Sequence, residues 1–428
     1  MFKSITNIIS EVSNWQTEKI FRVLNFSIPL FMGIYLFANP LPLSAVNEFC
    51  FYLSVSALIL LLVFKKTAFT LRSPLTLPFI LFFLWAVFGL FFTLDFKNTL
   101  HDLRGHLLNY LIIFYLLVNY FNSPKRLKIL ALIAIASATL FSIGAVIQYY
   151  FIDGFPFSSR LGDIDTFKEM HTNHIGFVTI LGICLSLHFL YKSKTIFYKI
   201  LFINCFFIMV ITTLLTQSRG SLLGLLAALV ILCFHNRKNI IFIIIAILII
   251  ILMPGIKERA INVDSFTKDI RIKMNHLTIK VIKDHPITGI GFGMEIYGNK
   301  NVLDLEKLNK QLPPEYQQNN PIIASPHNTI LDIAVRTGIV GLILFLYILI
   351  TSLWMLWKTL KLKKGEYFKS WAICLFACFV SYIITGLFVD TTYGPKAIVF
   401  YTILSMITIL WNLVQKEKGE HAAESQQI

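Results

Sequence analysis

Apolar runs long enough to cross a lipid bilayer recur twelve times along the chain, centred in residues 20–38, 46–64, 75–92, 105–121, 127–150, 172–190, 196–215, 220–234, 239–253, 328–357, 370–388 and 397–414. Crossing about 30 Å of hydrocarbon takes about 20 helical residues. Inside lipid the backbone must satisfy its own polar groups, which a helix does within one segment. The pattern predicts an all-α integral membrane protein of about twelve transmembrane helices. Composition agrees, with 56% hydrophobic residues, 14% charged residues and a mean hydropathy of +0.71.

Lys and Arg placement gives the expected orientation. With the N-terminus inside, the inward segments hold 21 of the 38 basic residues and the short outward loops hold six. The segment 254–326 holds ten, but long loops are exempt from the rule. Both termini are therefore expected in the cytoplasm, with 254–326 facing outward. The net charge of +15 reads as a topology signal plus attraction to anionic lipid, not as nucleic-acid binding. The six cysteines fall in or beside apolar stretches, which argues against a disulfide framework.

The chain divides into an N-terminal segment 1–19, helices 1–9 over 20–253, the outward loop 254–326, helices 10–12 over 327–414, and a polar tail 415–428. Ile5, Ile8, Ile9, Val12 and Trp15 recur at helical spacing, predicting an amphipathic helix on the inner membrane surface. In the loop, Phe266, Ile270, Met274, Leu277 and Val281 form an apolar stripe, with Lys273, Lys280 and Lys283 off it. A helix lying on the outer leaflet is expected there.

Chemistry is sought among charges on the outward side. In "LLTQSRGSLLGLL", Arg219 stands with Gln217 and Ser218 in a tight hairpin, against the charge bias. A planar, permanently charged guanidinium offers paired donors suited to a phosphate or diphosphate. Arg271 lies in the cationic loop helix, followed by "DHPITGIGFG". Its glycines Gly289, Gly291 and Gly293 lack the strand and βαβ unit of a dinucleotide site, so they are expected to turn the backbone tightly against the membrane domain. In "SPHNTILDIAVRTGIVG", Pro326 allows a helix to begin near His327. Asp332 and Arg336 are i,i+4 neighbours that can pair, offsetting a cost of about 2.5–3.5 kcal/mol for each charge at mid-membrane. His327, followed by Asn328, offers an imidazole that accepts a proton near neutral pH. Asp163-x-Asp165 reads as two solvated carboxylates. His171 and His174 are spaced i,i+3 without an evident third ligand, so no metal site is assigned.

His327-Asn328, nine residues, then Gly338-x-x-Gly341, preceded by "LTQSRG" and by an arginine with "DHPITGIGFG", resembles the O-antigen ligase and polymerase superfamily of bacterial envelope glycosyltransferases. The motifs cover residues from about 205 to 345. The resemblance implies a GT-C-like architecture with one large periplasmic loop in the bacterial inner membrane. It implies an undecaprenyl-diphosphate-linked glycan donor held by Arg219 and Arg271, and activation of the acceptor hydroxyl by His327. Family members often carry an aromatic shortly after the loop arginine, where this chain has Met274 and Asn275, so Arg259 competes with Arg271 for that role. Gln217 and Asn328 are further substrate-binding candidates, and Asp332, Arg336, Gly338 and Gly341 structural ones. No cofactor is expected, and inverting transfer without a metal fits the chemistry. A ligase acting on a lipid A–core sugar leads; a polymerase using the same donor is the rival. A protein-glycosylating relative ranks lower, since such enzymes tend to be longer. A lipid-linked sugar transporter or flippase is a different class, disfavoured because neither related halves nor helices broken near mid-membrane are evident and the candidate residues cluster on one face.

Overall fold

A computed structural model describes residues 2–162, 172–252, 270–321, 325–362 and 365–425. The protein is an all-α multi-pass membrane protein. The first half comprises α1 (Phe2–Ala38), α2 (Ser44–Val63), α3 (Thr76–Phe88), α4 (Phe96–Asp102), α5 (Asn109–Tyr120) and α6 (Pro124–Val146). After these come α7 (Thr172–Lys192), α8 (Ile196–Leu215), α9 (Arg219–His235) and α10 (Ile240–Leu252). The loop segment contributes α11 (Ile270–Asp284) and α12 (Leu305–Lys310). The chain finishes with α13 (Thr329–Leu360), α14 (Glu366–Gly386) and α15 (Gly394–Ser425).

Each of the twelve apolar stretches is helical, but among the described residues eight helices are long and apolar enough to span a membrane. Two further apolar helices, Thr76–Phe91 and Arg219–Phe234, are shorter. The stretch 105–121 is helical through Tyr120, a π-helical turn over Leu103–Leu108 running on into the 12 residues of α5. Of the stretch 239–253, the described residues Ile240–Leu252 form α10. At the N-terminus, the expected surface segment and first span run as one helix, α1.

Small residues allow α9 and α14 to approach closely. A Cβ on Gly224 would stand 2.1 Å from Thr385 Oγ1, and Ser381 Oγ donates to the Gly224 carbonyl at 2.5 Å. Without a hydrophobic drive between helices in lipid, such close approach and interhelical hydrogen bonding hold them together.

The helix α13 breaks at Gly338, whose φ of 68° and ψ of −174° lie outside helical values. The glycine-rich loop fills the break. Ile290 N–H donates to the Val335 carbonyl at 2.9 Å, Gly291 N–H to that of Arg336 at 3.2 Å, and Ile339 N–H to that of Pro286 at 2.8 Å. Trp85 Nε1 donates to the Thr337 carbonyl at 2.9 Å. The groups freed by the kink are thus satisfied by protein, as burial demands. The loop glycines turn tightly against the membrane helices as the sequence leads one to expect. Gly289 has φ 68°, and a Cβ there would lie 2.4 Å from the Val335 carbonyl oxygen.

The expectation for α11 is corrected. Met274, Leu277 and Val281 are buried, and Leu277 and Val281 join Ile290, Ile296, Tyr297, Leu303, Leu305 and Val335 in a second core. The apolar stripe covers protein rather than lipid. Phe266 lies outside the described residues.

Candidate active site

Residues 387–393, between α14 and α15, bring the candidate groups together. Phe388 lies against the start of α9: a Cβ on Gly220 would sit 2.7 Å from Phe388 Cβ. The same ring lies 5.9 Å from the guanidinium carbon of Arg271. Arg219 is the first residue of α9, capped by Ser218, whose side chain accepts from Ser221 N–H at 3.3 Å. Both arginines are half-buried. Phe388 therefore joins the ends of two elements far apart in sequence, each carrying a cation.

Two residues on, Asp390 is 2% exposed and accepts from Ser325 Oγ at 3.0 Å. It pairs with Lys396 Nζ at 3.2 Å and lies 3.8 Å from His327 Nδ1. Lys396 Nζ also lies 3.0 Å from His174 Nε2. Burial opposes ionisation of Asp390, but Lys396 and then His327 outweigh it and hold the carboxyl below the usual carboxylate range. The His327 side chain is 44% exposed and so accessible to a reactant. A buried anion behind an accessible imidazole is the arrangement that orients a base and stabilises its protonated form.

Left-handed backbone marks the same places. Among the described residues, Lys65, Gln217 and His327 are the non-glycines with positive φ, the latter two at 49°. Such conformations cost on the order of 1–3 kcal/mol and persist where surrounding structure fixes them. For Gln217 that structure is a docked loop: its Nε2 donates to the Ser158 carbonyl at 3.2 Å, and Arg160 Nε to that of Thr216 at 2.9 Å. For His327 it is the cap of α13. Asn328 Oδ1 accepts from Ile330 N–H at 2.9 Å and Leu331 N–H at 3.2 Å, so the helix starts at Thr329 rather than at His327. The Asn328 and Gln217 side chains thus have structural partners of their own.

Asp332 and Arg336 pair at 3.4 Å within a buried network. Arg336 also donates to Thr392 Oγ1 at 2.8 Å and, through Nε, to the Phe292 carbonyl at 2.8 Å. Thr392 Oγ1 donates to Asp332 at 2.8 Å. This network clamps the 387–393 connection and the glycine-rich loop onto the kinked helix. Gly341 packs by the kink, where a Cβ would stand 2.1 Å from Thr337 Oγ1.

Sequence reasoning missed Asp390, Lys396 and Thr392, and saw His174 only as half of a pair with His171. One signal was present: Lys396, like Arg219, runs against the charge bias. Arg259, Asp163, Asp165 and His171 lie outside the described residues.

Residues 205–346 match the family model described as O-antigen ligase, about a third of the chain. The match contains Arg219, Arg271, His327 and the kink at Gly338, and ends before Asp390 and Lys396. No curated protein shows a significant match to the chain. Over residues 205–346 the chain is similar to the O-antigen ligase family, a family of glycosyltransferase-like membrane enzymes with lipid-linked glycan substrates.

Proposed function

We propose that this chain is an O-antigen ligase that transfers an undecaprenyl-diphosphate-linked O-antigen polysaccharide to a sugar hydroxyl of lipid A–core. The reaction takes place at the periplasmic face of the inner membrane, with both termini cytoplasmic, as the charge bias favours. The observation that carries the reading is the 388–390 segment. Phe388 contacts the arginine-bearing elements while Asp390 faces the accessible imidazole of His327.

His327 takes the proton of the acceptor hydroxyl as its oxygen attacks the anomeric carbon. The bond from that carbon to the diphosphate oxygen breaks, and the electron pair leaves with the diphosphate. Arg219 and Arg271 hold the departing anion, each charge-assisted hydrogen bond contributing about 1.5–3 kcal/mol. Asp390 balances the imidazolium as it forms and is itself held ionised by Lys396. A single displacement of this kind inverts the anomeric configuration and draws its charge stabilisation from the protein's own cations. Retention of configuration in the product overturns that step.

Deletion of the coding sequence followed by gel analysis of lipopolysaccharide tests the proposal. Loss of every O-antigen-capped species, with polymer accumulating on undecaprenyl diphosphate, is the expected result. Core bearing a single repeat unit identifies a polymerase instead.

A further inference from the structure

A cavity of about 530 Å³ opens beside Asp390 and is lined by Met294, Glu295, Gly298, Asn299, Ser325, Asp332 and Tyr393. Its size falls within the roughly 300–1,000 Å³ of small-molecule sites. Three other cavities among the described residues, of about 30, 20 and 110 Å³, are far smaller. Ser325 ties the cavity to the imidazole, because its hydroxyl donates to the carboxylate that faces His327. Asp332 ties it to the kinked helix through Arg336 and Thr392.

The lining chemistry decides what fits. Among the described lining residues stand two carboxylates and no lysine or arginine. Asp332 is neutralised by Arg336, which leaves Glu295, at the exposed rim, as the uncompensated charge. An anion is repelled here, whereas the guanidinium side of Phe388 attracts one. The remaining groups suit hydroxyls. Asn299 Oδ1 accepts from Asn301 N–H, leaving the amide NH₂ to donate. The Tyr393 phenol bonds the Asp390 carboxylate and Lys396 Nζ lies 4.3 Å from its ring centroid, so Tyr393 contributes aromatic surface rather than a spare hydroxyl, and Glu295 accepts. The segment is anchored from behind: Met294 N–H donates to buried Asp102 at 2.6 Å and Glu295 N–H to Asn98 at 3.2 Å. Anchored polar groups beside an aromatic face form a preorganised site.

We propose that this cavity binds the acceptor's terminal sugar as an uncharged glycoside, with Asn299 and Tyr393 as binding groups and Glu295 as the residue that rejects phosphorylated or acidic sugars. The proposal rests on the transferase reading above and names the acceptor class of that site.

Two measurements on the purified full-length chain test it. In saturation-transfer NMR, the probes are methyl glucoside, methyl galactoside, methyl mannoside and glucose 6-phosphate. Wild type is expected to bind at least one neutral glycoside and not the phosphate. Asn299→Ala loses most of that signal, and Glu295→Gln admits glucose 6-phosphate. In a transfer assay, Asn299→Ala raises KM for the acceptor about tenfold and leaves KM for the lipid-linked donor unchanged. Binding of no neutral glycoside, binding of the phosphate by wild type, or a shift in donor KM alone overturns the subsite. Glycoside binding that depends on Asn299, in a chain that transfers nothing to lipid A–core, keeps the subsite and removes the ligase reading. Normal transfer with glycoside binding indifferent to Asn299 does the reverse.

Discussion

His327 precedes α13 and Asp390 precedes α15, yet they come within 3.8 Å of each other, with Ser325 donating to the same carboxylate at 3.0 Å. The carboxylate faces two bases at once, since Lys396 pairs with it at 3.2 Å. This contact makes separate predictions about rate, stability and pH.

Asp390→Asn is expected to lower kcat by about 10²-fold or more, on the scale of general-base contributions of about 10²–10⁴. The substitution also strands the buried Lys396, which costs about 3–5 kcal/mol. The double variant Asp390→Asn/Lys396→Met separates the two effects. It is expected to recover folded yield in detergent while transfer stays low. Recovery of both would make the carboxylate purely structural.

The pH response follows from the depressed carboxyl of Asp390. A folded-state value below the unfolded one, near 3.9, contributes stability that is fully present above the unfolded value. That stability is lost as pH falls through the folded value. Between about pH 5 and 8 the carboxylate stays charged, so the acid limb of the transfer rate belongs to His327. Removing the anion in Asp390→Asn moves that limb to lower pH. Paired pH–rate profiles check this; superimposable limbs would uncouple the two residues.

Arg219→Ala and Arg271→Ala are each expected to reduce transfer by roughly 10- to 150-fold, the equivalent of one charge-assisted hydrogen bond. Lysine at either position restores charge but not the planar fork, so rescue is partial. Initial rates at fixed acceptor and varied donor read this out. Full rescue by lysine contradicts bidentate recognition.

Gly338→Ala places a Cβ 1.9 Å from the Ile287 carbonyl oxygen at a backbone φ of 68°. Loss of the loop's docking on α13, and with it a fall in folded protein, is expected. Size-exclusion profiles and Tm in detergent measure it. By contrast Gly154→Ala, at a φ of 73° with no neighbour within 4 Å, costs only about the 1 kcal/mol of the left-handed conformation.

The parts legible in the sequence are those encoded locally. Apolar runs give the helices, and i,i+4 spacing gives the Asp332–Arg336 pair. The arginines and His327 stand out by running against the charge bias or by motif. What stayed hidden depends on chain segments meeting in space. Asp390 sits in "LFVDTTYGPK", which reads as an ordinary connection, and only its packing against His327 and Lys396 gives it meaning. The α11 stripe faces protein because the glycine-rich loop folds back to supply a core.

The most direct measurement is transfer by the purified chain, given undecaprenyl-diphosphate-linked glycan and lipid A–core, with His327→Ala and Arg219→Ala beside wild type. Capped lipid A–core is expected from wild type, and little from either variant despite normal folding and membrane insertion. Capping at the wild-type rate by either variant contradicts the convergence of imidazole and guanidinium on one lipid-carried sugar.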